Sequence, residues 1–364
     1  MNLTRRDLLK LAAAAAITPV IARGEVGEDG LDLNALIQPV PEGAKFADTE
    51  YNVWCGSMIR DDDGKCHLFY SRWPKRLGHL AWVTHSEVAR AVADHPLGPY
   101  RHADLALPPR GKEFWDGHCT HNPTVVRFGS KYHLYYVGNF GDGKAVSGGL
   151  NWSHRNNQRI GVAVADHPAG PWTRMDKPLI ECTPGFHDAQ CCANPSVVAR
   201  PEGGYLMVYK AVADKGKQPF GGPVVHVVAT ADQPTGPFKK HPNPVFTSAG
   251  STFPAEDPFV WRGADRYWAV VKDFKGNFTP HGAALVLFES RDGIDWKLAA
   301  HPLVTKVGVR WEGKPWQALQ KLERPQVWSD RDGPAVLFCA AADRPDLNHS
   351  FNIALPLRPV AQLK

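Results

Sequence analysis

The stretch Asn122-Pro-Thr-Val-Val-Arg-Phe-Gly-Ser-Lys-Tyr-His-Leu-Tyr-Tyr136 decides the fold, because four other segments of the chain repeat its pattern. Each copy has a short apolar run, a polar turn that contains Gly or Asp, and a second run rich in aromatic residues. This order is typical of a β-hairpin. The other copies begin at Cys55, Asn194, Asp257 and Arg324, so the five hairpins are almost evenly spaced along the chain.

A second repeat lies between the hairpins. Val92-Ala-Asp-His-Pro-Leu-Gly-Pro-Tyr100 recurs over residues 164–172, 229–238 and, in a more distant form, 289–296. It predicts a third strand, a Pro-Gly turn and an outer strand that ends in an aromatic residue. Four strands in each of five units predict an all-β chain folded as a five-bladed β-propeller, since radial repetition buries each sheet face against its neighbours. Two β-sandwiches are the alternative, which the even spacing disfavours.

The N-terminus has the features of an export signal. Thr4-Arg5-Arg6-Asp7-Leu8-Leu9-Lys10 precedes an apolar run from Leu11 to Ile21. Paired arginines before an alanine-rich run are typical of a twin-arginine signal peptide, and an amphipathic first helix is the alternative. We therefore expect a signal peptide at 1–22, an N-terminal extension at 23–45 and a propeller domain at 46–364. The expected location is periplasmic or secreted.

Composition excludes several classes of protein. The 364 residues are 43% hydrophobic and 22% charged, which excludes a disordered chain. The formal net charge is +5, too small for a nucleic-acid-binding surface, and beyond the leader no run is long enough to span a membrane. We therefore expect no nucleic-acid partner and no membrane partner after cleavage of the signal. Seven cysteines give an odd count, so at least one is unpaired or pairs between chains.

Blade geometry selects the functional positions. In a propeller, the residues that open the innermost strand of each blade converge on the central axis, where the fold forms a deep pocket. Polar and charged groups are costly to bury there without a function. The two residues at this position in successive repeats are Trp54-Cys55, His121-Asn122, Ala193-Asn194, Glu256-Asp257 and Glu323-Arg324.

These repeats resemble the glycoside hydrolases of five-bladed propeller type, especially families 43 and 117, over roughly residues 50 to 340. In that group the inner strands open with Asp-Pro or Glu-x-Pro, and third strands end in Gly-Pro and an aromatic residue. On this pattern Glu256 and Glu323 both match the general acid of family 43. The resemblance also implies that Asp257 raises the pKa of a neighbouring acid or orients it. Family 117 implicates a histidine in proton transfer, which makes His121 and His187 candidates.

The first blade departs from the family pattern. Family 43 has its general base, an Asp, at the position where this chain has Cys55. Inverting hydrolysis needs one carboxylic acid and one carboxylate, so another residue must act as the base. The nearest candidates are Asp116 and Asp188, which lie in segments that lead into inner strands, where each is also an ordinary turn residue.

Other polar and aromatic residues are interpreted as substrate contacts. Aromatic rings together with amides and cations suit a sugar, whose C–H faces stack on rings while its hydroxyls need donors and acceptors. Hydrogen bonds and salt bridges between blades are an equally good interpretation of any one of them. Together, Arg72, Arg159 and Arg324 would instead bind a carboxylate, which indicates an acidic sugar. The candidates are Arg72, Trp73, His118, Asn122, Asn156, Arg159, His187, Asp188, Asn194, Lys210 and Arg324.

The expected function is therefore hydrolysis of a glycosidic bond by an exported enzyme with a carbohydrate substrate. No cofactor is expected to be required. A calcium or another divalent ion on the propeller axis is compatible with the resemblance, although the sixteen histidines show no metal-ligand spacing. A polysaccharide lyase acting on a uronate and a non-catalytic carbohydrate-binding propeller are the alternatives. The sequence leaves the sugar, the linkage and the oligomeric state open.

Overall fold

The computed structural model describes residues 30–363, and these form five four-stranded antiparallel sheets. The predicted five-bladed β-propeller is confirmed. The expected signal peptide at 1–22 and residues 23–29 of the expected extension lie outside the described residues. No helix among residues 30–363 has the length and apolar character needed to cross a membrane.

The first three blades each consist of four consecutive strands, counted from the axis outward. Blade 1 contains β2 (Tyr51–Arg60), β3 (Cys66–Pro74), β4 (Glu87–Ala93) and β5 (Arg101–Leu107). Blade 2 contains β6 (Cys119–Phe128), β7 (Lys131–Asn139), β8 (Arg159–Ala165) and β9 (Thr173–Arg174). Blade 3 contains β10 (Cys191–Ala199), β11 (Tyr205–Val212), β12 (Val224–Ala231) and β13 (Lys239–Val245).

The last two blades close the ring. Blade 4 contains β14 (Ala255–Arg262), β15 (Tyr267–Asp273), β16 (Ala284–Ser290) and β17 (Lys297–Lys306). Blade 5 contains β20 (Lys321–Asp330), β21 (Gly333–Ala342), β22 (Ser350–Pro356) and, as its outer strand, β1 (Lys45–Phe46). Because β1 comes from the N-terminal end of the described chain, it joins the two ends of the propeller. A separate hairpin is formed by β18 (Gly308–Arg310) and β19 (Trp316–Ala318).

The helices of residues 30–363 are short and lie outside the blade strands. Within this range the α-helices are α1 (Leu33–Leu36), α2 (Trp82–His85) and α3 (Trp152–Asn156). The 3-10 helices are Glu42–Ala44, Lys75–Leu77, His79–Ala81 and Val360–Gln362. The 3-10 helix His79–Ala81 and α2 follow each other in the β3–β4 connection of blade 1, which brings His79 and Trp82 to the axis.

The apolar core lies between the blades. Separate clusters of buried residues join blade 1 to blade 2, blade 2 to blade 3, and blade 3 to blade 4. The largest cluster joins blades 4, 5 and 1, and it includes Tyr70, Leu287 and Ile353. Burial of a side chain of this size contributes about 1.5–3 kcal/mol, so the interfaces between blades hold the ring together.

The second sequence repeat forms a turn that differs in one detail from the expectation. Its aromatic residue precedes the outer strand instead of ending it, since Tyr100 lies just before β5. Gly98 in this turn has φ 91°, and a Cβ atom there would lie 2.8 Å from the Tyr100 nitrogen. Only glycine fits such a turn without strain.

Candidate active site

Each inner strand bends at the same place near the axis. The register with the second strand shifts after Trp54, His121, Ala193, Glu256 and Glu323. The next residue in every blade has a positive φ, between 50° for Asn122 and 57° for Cys55. Such β-bulges commonly redirect side chains beside functional sites, and an L-residue rarely adopts this backbone conformation. The five sequence pairs singled out above are these bulges.

The five positive-φ side chains form a chain of hydrogen bonds around the axis. Cys55 Sγ donates to Asn122 Oδ1 (2.7 Å), and Asn122 Nδ2 donates to Asn194 Oδ1 (2.5 Å). Asn194 Nδ2 then donates to Asp257 Oδ1 (2.6 Å). Arg324 Nη1 lies 3.4 Å from the same oxygen, and its backbone nitrogen donates to Asp257 Oδ2 (3.2 Å). We call these five residues the axial ring, and its hydrogen bonds converge on the Asp257 carboxylate.

Two lysines bring the glutamates of blades 4 and 5 together. Lys210, on the second strand of blade 3, donates to Glu256 Oε1 (2.8 Å) in blade 4. Lys272, on the second strand of blade 4, donates to Glu323 Oε1 (2.5 Å) in blade 5 and lies 3.7 Å from Glu256 Oε2. Lys321 adds a second cation 3.0 Å from Glu323 Oε1. Two carboxylates from adjacent inner strands thus share one ammonium group.

The acidities of the neighbours Glu256 and Asp257 are displaced in opposite directions. Burial alone would raise the pKa of Glu256, but the charges of Lys210 and Lys272 outweigh it and lower that pKa to about 2. Burial and the nearby Glu256 charge raise the pKa of Asp257 to about 6, against the opposing charge of Arg324. Of these two neighbours, Glu256 therefore stays ionised to the lower pH.

Five aromatic side chains line the same pocket as the glutamates, and we call them the aromatic wall: Trp54, Trp73, His79, Trp82 and His121. Trp54 packs edge-on against His79 with ring centroids 5.3 Å apart, and Trp73 contacts the same ring at 5.5 Å. Trp82 stacks on His121 with centroids 4.9 Å apart and an interplanar angle of 25°. Burial lowers the pKa of His79 to about 4, so this side of the pocket is uncharged at neutral pH.

His121 is a neutral ring with one nitrogen already engaged. Its Nδ1 shares a hydrogen bond with Ser86 Oγ (2.7 Å), while Nε2 has no hydrogen-bond partner among the described residues. Burial, followed by the charge of Arg324, lowers the pKa of His121 far below the usual range. The uncharged ring can therefore accept a hydrogen bond from a ligand at Nε2 or, in the other tautomer, donate one to it.

These groups line one pocket on the axis, with about 470 Å³ of space not filled by protein atoms. The pocket is lined by aromatic rings, by the paired carboxylates and by four of the five members of the axial ring. Its lining consists of Trp54, Trp73, His79, Trp82, His121, Asn122, Asn194, Lys210, Glu256, Asp257, Glu323 and Arg324.

Nine of the sequence-predicted site residues line this pocket. Four of them were candidate catalytic residues, namely Glu256, Glu323, Asp257 and His121. The other five were candidate substrate contacts, namely Trp73, Asn122, Asn194, Lys210 and Arg324.

Asp116 and Asp188 do not line the pocket. Both are fully buried. Asp116 accepts hydrogen bonds from Arg110 (2.8 and 2.6 Å), Arg174 and Tyr136, and it lies beside the second blade. Asp188 accepts from Lys240 Nζ (2.5 Å), the Tyr209 hydroxyl and a backbone amide. Their partners account for both carboxylates without a substrate.

The remaining predicted contacts also lie outside the pocket lining. Arg72 is paired with Glu87, and Arg159 with Glu181. Only Arg324 of the three arginines considered as a carboxylate clamp therefore lies at the axis. The other three form hydrogen bonds elsewhere: His118 Nδ1 with Gly141 N (3.1 Å), His187 Nε2 with Pro242 O (2.9 Å) and Asn156 Nδ2 with Pro219 O (2.9 Å).

The sequence placed Trp54 at an axial position and Lys272, like Lys210, at the end of a hairpin strand, but it did not select His79 or Trp82 as site residues. Trp54 occupies the same bulge position as Glu256, and Lys272 occupies the same second-strand position as Lys210, so the repeat alignment carried a signal for both. His79 and Trp82 lie in a connection that has no counterpart in the other repeats, so the alignment held no signal for them.

The axial ring does not suit a divalent cation. Asp257 is its only carboxylate, and the Arg324 guanidinium lies within 3.4 Å of one of the carboxylate oxygens. Calcium prefers six to eight oxygen ligands and no adjacent cation. Within residues 30–363 no group of three or more His, Cys, Asp or Glu side chains is arranged to hold a metal. We therefore derive no step through a metal ion.

Comparison with solved structures places this fold among propellers of glycoside hydrolases. A family 117 glycoside hydrolase from the marine bacterium Zobellia galactanivorans has a TM-score of 0.60 and 18% identity, and the match covers 86% of this chain and 87% of that one. The endo-arabinase from Bacteroides thetaiotaomicron has a TM-score of 0.54 and 14% identity, covering 87% and 96% of the two chains. These likenesses show the five-bladed propeller fold.

The family itself follows from the sequence match. The chain belongs to the glycosyl hydrolases family 32 N-terminal domain family, whose model matches residues 116–329. A curated relative, the cell wall isozyme of beta-fructofuranosidase from Pisum sativum, is 25% identical over 198 residues, which is 51% of this chain. The aligned region spans only 32% of that relative's length. The resemblance to propeller glycoside hydrolases is confirmed, with family 32 added to families 43 and 117.

Proposed function

We propose that the protein hydrolyses a glycosidic bond of an oligo- or polysaccharide in the axial pocket. The observation that carries this proposal is the pair Glu256 and Glu323, two carboxylates bridged by Lys272 and facing an aromatic wall. Glycosidases use two carboxyl groups that flank the scissile bond. An aromatic ring such as Trp54 offers an apolar surface for the C–H face of the sugar.

The two glutamates have different roles in this proposal. Glu256, with a pKa of about 2, is the carboxylate that activates water or attacks the anomeric carbon. Glu323 is the acid that protonates the leaving oxygen. Lys272 contacts both carboxylates and holds them near each other in the pocket. Asp257, paired with Arg324, orients the pocket floor.

Cys55 does not replace the base that family 43 has in blade 1. Burial raises the pKa of the Cys55 thiol far above its usual range, and its Sγ donates a hydrogen bond to Asn122. A protonated, fully buried thiol does not activate water. The base is therefore assigned to blade 4 in this proposal.

The related beta-fructofuranosidase and endo-arabinase, together with the alternative of a uronate lyase, suggest the substrates for a screen. The panel contains fructans, arabinans and uronate-containing oligosaccharides, tested with and without a chelator. Released reducing sugar without ultraviolet absorbance supports hydrolysis. A product absorbing in the near ultraviolet would indicate elimination by a lyase, for which neutral His121 is the candidate base.

The roles are tested with two variants and two leaving groups. Glu323→Gln should retain activity on an aryl glycoside with an activated leaving group, because such a group needs no proton, and lose it on the natural linkage. Glu256→Gln should lose activity on both, and added azide should restore part of it on the aryl glycoside. The opposite assignment of the two variants would overturn the roles while leaving hydrolysis intact.

A carbohydrate-binding propeller without turnover is the second candidate. The replacement of the family base by buried Cys55 favours it. In that case Glu256→Gln and Glu323→Gln would change sugar affinity no more than surface substitutions do, and no substrate of the panel would be cleaved.

We also propose that the protein is exported by the twin-arginine route to the periplasm or beyond. The support is the sequence Thr4-Arg5-Arg6 before its apolar run. Replacement of both Arg5 and Arg6 by lysine should leave the full-length chain in the cytoplasm in a fractionation experiment. Unchanged export of this variant would contradict the proposal.

A further inference from the structure

Four aromatic rings form a continuous row on the loops around the pocket mouth. Trp152 belongs to α3, Phe220 to the β11–β12 loop, Phe253 to the β13–β14 connection, and Phe274 directly follows β15. The centroids lie 6.1 Å apart for Trp152 and Phe220, 6.4 Å for Phe220 and Phe253, and 4.5 Å for Phe253 and Phe274. We call these four residues the aromatic row.

The aromatic row is continuous with the proposed reacting groups. Lys272 Nζ lies 4.6 Å from the centroid of the Phe274 ring and 2.5 Å from Glu323 Oε1. From that end the row passes Phe253 and Phe220 and reaches Trp152 on the blade 2 connection. One end of the row therefore lies beside the lysine that contacts both carboxylates.

The middle of the row is held in place by polar contacts. Arg155 Nη1 donates to Phe220 O (2.7 Å), and its guanidinium lies 4.9 Å from the centroid of the Phe220 ring. Asn156 Nδ2 donates to Pro219 O (2.9 Å) in the same loop. These bonds join the blade 2 loop to the blade 3 loop, so the Phe220 ring is positioned before any ligand arrives.

The inner end of the row is fixed by one buried carboxylate. Asp273 Oδ1 accepts hydrogen bonds from Gly276 N (2.9 Å) and Asn277 N (2.7 Å), and Oδ2 accepts from Phe278 N (2.9 Å). The loop after Phe274 is thus tied to the end of β15. Even so, Phe220 is 40% exposed, which leaves an apolar ring in water beside the pocket.

We propose that the aromatic row binds the sugar units that follow the one held in the pocket, so that the substrate is an oligosaccharide or polysaccharide chain. This inference rests on the proposed function of the pocket. Apolar C–H faces of sugars pack on aromatic rings, and their hydroxyls remain in water at the edges. Continuity with Lys272 and Glu323 favours the substrate chain as the occupant of the row.

The test measures affinity in the Glu256→Gln background, so that no turnover is needed. Calorimetry compares short and long oligosaccharides from fructan and from arabinan. The parent should bind a longer chain more tightly than a disaccharide, and Phe220→Ala should weaken binding of the longer chain about tenfold. Phe140→Ala is the matched control, since Phe140 is 43% exposed on a loop of the same face and has no ring contact with the row.

The outcomes separate this inference from the proposed function. Loss of affinity that is confined to the longer chain, and to Phe220→Ala, supports the row. Affinity that does not rise with chain length, or an equal effect of Phe140→Ala, overturns it even if the enzyme cleaves glycosides. Chain-length-dependent binding without any hydrolysis by the unmodified protein would support the row and contradict the proposed function.

Discussion

Two pairs of carboxylates in this propeller have cationic partners, yet they differ in what else surrounds them. Asp116 and Asp188 are fully buried. Besides its cationic partner, each accepts a hydrogen bond from a tyrosine hydroxyl: Asp116 Oδ2 from Tyr136 (2.7 Å) and Asp188 Oδ2 from Tyr209 (2.8 Å). Glu256 and Glu323 keep 17% and 13% of their side chains exposed to the pocket. The first pair joins neighbouring segments of structure, and the second pair keeps one side open for a ligand.

The difference shows that ion pairing alone does not identify a reacting group. A buried ion pair adds little net stability compared with apolar packing, but loss of one partner leaves an uncompensated charge. An ion pair on a pocket wall displaces a pKa while remaining accessible, which is what acid and base chemistry requires. The predictions below test this contrast.

The largest effect is expected for Glu256→Gln. Loss of the carboxylate should lower kcat/KM by about a thousandfold or more, because general base or nucleophilic assistance of this kind contributes factors of that size. The free energy of unfolding should fall less than in the Asp116 variant described next, since Glu256 is 17% exposed whereas Asp116 is fully buried, and Lys272 keeps its contact with Glu323. Steady-state kinetics and urea denaturation of the same preparation measure both quantities. A small decrease in kcat/KM together with a large decrease in the free energy of unfolding would mean that Glu256 has a structural role and no role in the reaction.

The next effect is expected for Asp116→Asn. Removal of this charge leaves Arg174 without a carboxylate partner and Arg110 with only the exposed Asp176, so the free energy of unfolding should fall by about 3 kcal/mol. The value of kcat/KM per folded molecule should stay close to that of the unmodified protein. Asp188→Asn provides the same test in blade 3. A selective loss of kcat in either variant would place these carboxylates in the reaction.

The aromatic wall gives a smaller effect. Trp82→Ala removes the ring that stacks on His121, and kcat/KM should fall about tenfold through weaker binding of the sugar. Trp316→Ala is the control, because Trp316 is 52% exposed on the separate β18–β19 hairpin. An equal effect of the two substitutions would mean that Trp82 acts only through stability.

The smallest effect is a displacement of the pH profile. Lys210 helps to lower the pKa of Glu256 to about 2, so Lys210→Met should raise that pKa towards its ordinary range. Because the ionised form of Glu256 is the active one, activity is lost as the pH falls through this pKa. The acidic limb of kcat/KM should therefore move to higher pH by at least about one unit. Lys239→Met, at an exposed lysine, should leave the limb in place.

Much of the fold could be predicted from the sequence because the blades repeat. The five hairpins and the bulge pairs, such as Glu256-Asp257, follow from alignment of the chain with itself. The outer strand of blade 5 could not be predicted, since Lys45–Phe46 is short and pairs with a strand about 300 residues away. His79 and Trp82 were missed because their connection occurs once.

The repeats also indicate a structural role for Asp116 and Asp188. Phe114-Trp-Asp-Gly-His-Cys119 and Phe186-His-Asp-Ala-Gln-Cys191 share the same spacing of Phe, Asp and Cys before an inner strand. A residue repeated from blade to blade is more simply explained by the architecture than by a single reaction centre. By contrast, the glutamates at the bulge position occur only in blades 4 and 5.

The most direct measurement is a crystal structure of Glu256→Gln with a substrate bound. We predict that the anomeric carbon lies next to the side chain of residue 256, about 3–3.5 Å away, with the glycosidic oxygen in hydrogen-bond reach of Glu323. The sugar ring should pack on the aromatic wall. A substrate bound with its glycosidic oxygen away from both residues, or beside Asp116 or Asp188, would contradict the assignment of the reacting carboxylates.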